Sequence, residues 1–258
     1  MSQPNFRRVQ PKQRGRRKNP YELTIKQHTH SAHALKKFSD EAGKVEVMLF
    51  PSKTIEKKRP NDSFFCAMRL WDERAEKGYM ATIEERFHKE IDDPFRPAIF
   101  RGHEAITEYF FLWMYRHACY HSSHEDIHVK GISGGNYTHD EEEILEKKFT
   151  MFIQGDSTIP YHMMNGVQIQ RRIDEALYKN KEIKWSLWKA ARGEFILSDC
   201  YFSHTENWGF MPITPKLAFV ASSSDSVISF ERVKELNRKS MSLAKRYCLA
   251  RDWTKTPI

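Results

Sequence analysis

Residues 104–121 read Glu104-Ala105-Ile106-Thr107-Glu108-Tyr109-Phe110-Phe111-Leu112-Trp113-Met114-Tyr115-Arg116-His117-Ala118-Cys119-Tyr120-His121. From Tyr109 to Tyr115 the run is apolar on nearly every side of a helix, and such a helix must be surrounded by the rest of the chain. The stretch therefore predicts a central helix around which the other elements pack. Its seven apolar residues fall well short of the roughly 18 that span a bilayer, so no membrane segment is expected.

Working outward, Met80, Ile83, Phe87 and Ile91 recur at helical spacing and predict a helix over residues 80–91, with Thr82 and Glu85 placed as a capping box. Residues 140–153 predict a third helix whose acidic first turn suits the helix dipole. Residues 161–178 predict a fourth, with Gly166 as its weak spot. Near the start, Tyr21–Lys26 reads as a short strand, Lys44–Leu49 alternates as a half-buried strand does, and residues 51–60 read as charged loop. Beyond the helices, residues 183–188 and 194–197 alternate as two strands joined by a turn at Gly193. Further strands are expected over 209–213 and 216–221, where Pro212 and Pro215 confine them to edges or ends. A closing amphipathic helix begins near Phe230 behind a Ser229 cap, with Val233, Leu236, Leu243 and Tyr247 on its apolar face. This order predicts an α+β fold: short N-terminal strands, a central helical bundle, C-terminal antiparallel strands and the closing helix, all in one domain over residues 21–258.

The net charge of +8 is unevenly placed: Arg7, Arg8, Lys12, Arg14, Arg16, Arg17 and Lys18 supply seven positive charges within residues 1–20, which hold no acidic residue. A segment so cationic and so poor in apolar side chains cannot build a core, so residues 1–20 are expected to be a disordered basic tail. Its chemistry attracts phosphate backbones through counterion release, which makes RNA or another nucleic acid the expected partner. The N-terminus carries no apolar secretory core, and Cys66, Cys119, Cys200 and Cys248 form no CxxC pair. Reduced, mostly buried thiols and a cytoplasmic location are therefore expected.

Several short pieces, in order, resemble the bacterial family catalogued as domain of unknown function 4238. They are Gln27-His28 followed by Leu35 and Phe38, Ile83-Glu84 on a helix, and Arg116 late in the apolar helix. Ser198-Asp199 after a strand, Met211-Pro212-Ile213-Thr214-Pro215 and Leu236-Asn237 complete the set. The likeness spans residues 25–250, with departures where Thr29-His30 and Cys200-Tyr201 replace the family's residues. It implies an α+β fold of bacterial origin and, by analogy, a place in a defence or toxin system. It also implies that Gln27, His28, Glu84 or Glu85, Arg116, Ser198 and Asp199 gather in one cleft.

Within the central helix, Arg116-His117-Ala118-Cys119-Tyr120-His121 is similar to the R-x4-H motif of the higher eukaryotic and prokaryotic nucleotide-binding ribonucleases. That resemblance implies a metal-independent endoribonuclease in which Arg116 holds the phosphate and His121 is acid or base, assisted by His28, Glu84 and Asp199. Such a site favours a homodimer, or a subunit of a larger complex. A guanidinium grips phosphate bidentately and an imidazole titrates near neutral pH, so the chemistry is coherent. Positions five apart nevertheless differ by about 140° around a helix, so convergence needs the helix to loosen or a second subunit to help. The alternative is that Arg116 forms a buried ion pair with Glu84 or Glu85.

A separate pattern places His117, His121, His124 and His128 on one face if the helix continues, which would suit a metal-dependent hydrolase. Ser122-Ser123 reads as a helix end, and neither a metal nor another cofactor belongs to the leading expectation. Trp185, Trp188, Trp208, Phe195, Tyr201 and Phe202 could stack bases on a strand face, or simply fill the core. A non-enzymatic nucleic-acid- or partner-binding protein is the remaining reading, with binding but no turnover.

Overall fold

A computed structural model describes residues 19–200 and 209–258; the seven cations of the leader, and Tyr201, Phe202 and Trp208, lie outside the described residues. In chain order the elements are β1 (Lys26–His28), α1 (Ala32–Lys36), β2 (Val45–Leu49), β3 (Ile55–Lys58), β4 (Cys66–Met68), α2 (Ala81–Asp92) and α3 (His103–Tyr120). Then follow β5 (Ile127–His128), α4 (His139–Lys147), β6 (Thr158–Ile159), α5 (Tyr161–Lys179), β7 (Trp185–Ala190) and β8 (Leu197–Ser198). The chain closes with β9 (Phe210–Thr214), β10 (Leu217–Ala221), β11 (Ser226–Ile228), α6 (Phe230–Leu243) and β12 (Tyr247–Ala250). Helices beside mainly antiparallel sheets make the fold α+β.

The apolar run does form the central helix. α3 packs against α2 on one side and α5 on another, and Tyr109 stacks on Phe87 of α2 with ring centroids 3.8 Å apart. On a further side Phe110 meets Trp185 of β7 at 5.4 Å. Trp185 is tied to the same helix by hydrogen bonds, its indole N–H donating to Thr107 and its backbone N–H to His103. Each large apolar side chain buried here contributes roughly 1.5–3 kcal/mol, which is why one cluster continues from Leu35 through α3 to Leu249.

Two four-stranded sheets flank the helices, in the orders β11-β7-β10-β9 and β3-β2-β12-β8. β9, which contains Pro212, is an edge strand, as the missing N–H requires. Residues 183–188 and 194–197 do not pair as a hairpin. Gly193, with φ of 75°, turns the chain out of the first sheet, and β8 joins the second through Leu197 opposite Leu249. β12 itself takes Tyr247, expected on the closing helix, into the centre of that sheet; α6 ends at Leu243. Ser229 does cap α6, accepting the N–H of Arg232.

Other boundaries differ for local reasons. β1 lies at 26–28, not 21–26, because its partner β4 reaches only that far. Ile55–Lys58, expected as loop, forms the charged edge strand beside β2, a placement that discourages further strand pairing. Thr82 is no N-cap: an irregular helical turn at Ala75–Met80 runs directly into α2, and the Thr82 hydroxyl donates to the Gly78 carbonyl. The capping box is at Thr138 and Glu141, opening α4. That helix stops at Lys147, two residues before Phe149 adopts a positive φ.

Gly166 is a packing requirement of α5. A Cβ there would lie 2.1 Å from the buried Asp72 carboxylate and 3.0 Å from the Ala75 Cβ, while the Tyr79 hydroxyl donates to the Gly166 carbonyl. Alanine gains about 1 kcal/mol of helix propensity, but the overlap with Asp72 outweighs it. Gly166→Ala should therefore lose about 1–2 kcal/mol net, read as a lower urea midpoint at unchanged m-value.

Candidate active site

The last turns of α3 deliver Arg116 and His117 in different directions, and the sequence-predicted residues divide accordingly into two groups. On one side Arg116, only 2% exposed, donates to the Glu84 carboxylate of α2, with Glu76 3.6 Å from its other terminal nitrogen. Its guanidinium lies 5.2 Å from the Trp71 ring centroid, and the Trp71 indole N–H donates to Glu76. Burial lowers the guanidinium's pKa, but Glu84 and then Glu76 more than reverse this, so it lies above its ordinary value. Two carboxylates against one cation give this group a formal charge of −1, which repels phosphate. Of the two partners weighed for Arg116, Glu84 is the one used; Glu85 pairs with Lys89 at the surface.

His28 borders this ion-pair group. Its ring nitrogens lie 3.3 Å from the Pro60 carbonyl and 3.6 Å from the Cys66 sulfur. Burial lowers its pKa, opposed by the Pro60 carbonyl and Glu84. Gln27 is occupied in holding backbone: its carbonyl oxygen accepts from Leu70 and Trp71 N–H, and its amide donates to the Trp71 carbonyl. His30 is sealed beneath, its Nδ1 2.6 Å from the Tyr109 hydroxyl, which also accepts the Ser31 N–H. The hydroxyl keeps its own proton to give to Nδ1, the arrangement that suits a neutral His30.

Burial pushes the His30 pKa down to about 3. The unfolded chain, with an ordinary value near 6.5, binds a proton between those limits that the folded chain refuses. Stability from this group is thus fully present above about pH 6.5 and declines as pH falls, by up to about 1.4 kcal/mol per unit. Urea midpoints from pH 7 to 4 should fall less steeply, by about one proton, in a His30→Gln variant.

On the other side of α3, His117 and His121 lie side by side, their ring centroids 4.4 Å apart and their planes tilted by 50°. Asp199, at the end of β8, joins them: one ligand-type atom from each of the three lies within 4.8 Å of the others. Asp199 is held by the chain leaving α6, its two oxygens accepting the N–H groups of Lys245 at 3.0 Å and Arg246 at 2.8 Å. Burial raises its pKa despite those bonds. Burial also pushes His117 down to about 3, with His121, Lys245 and Arg246 adding in the same direction. Lys245 is exposed, whereas Arg246 lies over Tyr120 at 4.5 Å and donates to the Phe64 carbonyl.

R-x4-H is therefore not a converging pair within this chain. Arg116 belongs to Glu84 and Glu76, and His121 to His117 and Asp199. Nor does a four-histidine row form, because α3 ends at Tyr120, where the Ser122 hydroxyl donates back to Ala118. His124 bonds to Asn165 and stacks on Tyr161, and His128 is exposed on β5. Ser198 makes a local turn, its hydroxyl accepting the Cys200 N–H. Trp185 and Phe195 are core, and Trp188 donates to the Ser224 carbonyl beneath Arg232.

Sequence reasoning missed Trp71, Glu76, Lys245 and Arg246. None carries a spacing signal, since each reaches its group from an element distant in sequence. The four cysteines are free thiols. Burial pushes Cys66 and Cys200 up to about 11, Cys119 up to about 12, and Cys248 up as well, which leaves no ready thiolate nucleophile among them. Among the described residues no helix is long and apolar enough to cross a membrane. No protein-family model, curated protein or solved structure matches the chain.

Proposed function

We propose that the chain is a nucleic-acid-directed hydrolase, an endoribonuclease of a bacterial defence or toxin system, working in the cytoplasm. Its reactive group is His117, His121 and Asp199. The observation that carries the reading is the meeting of two imidazoles and a carboxylate within 4.8 Å, at a place where the backbone of Lys245 and Arg246 holds the carboxylate. Such a group can activate an attacking water. Water's oxygen forms the new bond to phosphorus and the bond to the departing nucleotide oxygen breaks. The proton lost by water is matched by one gained by that leaving oxygen.

Exposed Lys245 supplies positive charge for the incoming phosphate, and the leader raises the local concentration of RNA. Arg116, Glu84 and Glu76 act as positioning residues, tying α3 to α2 and to Trp71 so that the last turn presents His117 correctly. The likeness to the R-x4-H ribonucleases supports the reaction class, with the arginine in a structural rather than a phosphate-holding part.

Full-length protein should cleave a fluorescent single-stranded RNA, and its binding should weaken steeply with salt. If the seven leader cations each reach a phosphate, log Kobs against log salt has a slope near −5, at about −0.7 per contact. Replacing those seven with alanine should flatten the slope by most of that amount. Tight, salt-sensitive binding with no cleavage would instead identify a non-enzymatic binding protein.

A further inference from the structure

The geometry points to His117, His121 and Asp199 as a binding site for one divalent transition-metal ion, zinc foremost; this rests on the hydrolase reading above and names the chemistry of that same site. His117 and His121 stand at i and i+4 at the end of α3, the helical spacing that brings two imidazoles to one ion. Asp199 arrives from a different element, so the third donor approaches from outside the helix. One donor atom from each lies within 4.8 Å of the others. Ligands about 2.0–2.1 Å from a shared tetrahedral ion sit roughly 3.3 Å apart. Closing the gap takes an ångström-scale movement of the three side chains, of which His121 is the least buried.

Two further observations favour an ion here over the His33–Asp92 and His162–Glu146 contacts. Asp199 is bonded by the neutral backbone N–H groups of Lys245 and Arg246, which fix the carboxylate's direction and leave lone pairs for a metal, as outer-shell partners do. By contrast Asp92, beside His33, is already paired with Lys37, and Glu146, beside His162, with Arg69. A bound cation would have to displace a lysine or arginine from each. Two imidazoles and one carboxylate suit zinc or a neighbouring first-row ion, and three protein ligands leave coordination positions for water and a phosphate oxygen.

The test uses full-length protein stripped with EDTA and dialysed, titrated with zinc chloride by calorimetry and with cobalt chloride by visible absorption. One ion per chain is expected, with cobalt bands of a low-coordinate nitrogen–oxygen site. His121→Ala should weaken zinc binding by about 100-fold or more, since even outer-shell partners cost 10–100-fold. Asp199→Asn should do the same, and His128→Ala should bind as wild type, each variant with an unchanged circular dichroism spectrum. Absence of one-to-one binding, or equal affinity in wild type and His121→Ala, overturns the site. Stoichiometric zinc without RNA cleavage supports the ion site and overturns the nuclease reading. Cleavage undiminished in EDTA, with no zinc bound, overturns the ion site and leaves the nuclease reading standing.

Discussion

Arg116→Ala is expected to lower unfolding stability by about 3–5 kcal/mol, the usual cost of removing one partner from a buried ion pair. Whole domains are stable by only about 5–15 kcal/mol, so the variant should be conspicuously fragile in a urea melt. The cause is specific. Without the guanidinium, Glu84 and Glu76 face each other with no cation between them, at side-chain exposures of only 23% and 16%. The Trp71 ring also loses the charge lying over it. Arg116→Lys keeps a cation but not the fork, and should lose distinctly less than the alanine variant. Glu84→Gln leaves Glu76 to balance Arg116, so its cost should also be the smaller one.

The second large effect is on chemistry. Replacing His117 and His121 together with alanine should reduce RNA cleavage by about 10³-fold or more, the scale on which an acid–base or metal-activated water contributes. His117 is buried, so the double variant will also lose some stability; the half-exposed His121 is the cleaner single change. His121→Ala should lose most of the activity while melting near the wild-type temperature. His28→Ala lies in the Arg116 group and should stay within about tenfold of wild type, well below the effect of losing a catalytic acid or base.

The parts of the fold legible in sequence are those set by local periodicity. The apolar run at 109–115 gave away the central helix, and Val233 and Leu236 behind Ser229 gave away α6, because spacing and capping act within a few residues. β12 and β3 were not legible. A short strand is defined by a partner far along the chain, and Tyr247 fits a helical face as well as a strand between Leu49 and its neighbours. Gly166 misled for a related reason: helix propensity marks it as weak, while its use depends on Asp72, nearly a hundred residues away.

The candidate site was legible as a list of residue types but not as a geometry. Gln27, Asn237 and Asp199 entered through the family resemblance, and each binds backbone. Asn237, wholly buried, accepts from Ile196 and donates to the Glu194 and Pro257 carbonyls. A pattern such as R-x4-H carries no information on which way each side chain leaves the helix. Arg116 and His121 diverge because an intact helix separates them by about 140°, and nothing in the described residues loosens α3 before Tyr120.

The most direct test compares RNA cleavage by two variants that remain folded, Arg116→Lys and His121→Ala, at matched concentration and salt. The lysine variant should retain a rate within about tenfold of wild type while the alanine variant falls by about 10³-fold or more. A folded Arg116→Lys protein as inactive as His121→Ala would place the phosphate on Arg116 and contradict the assignment. So would a His121→Ala protein that cleaves at the wild-type rate.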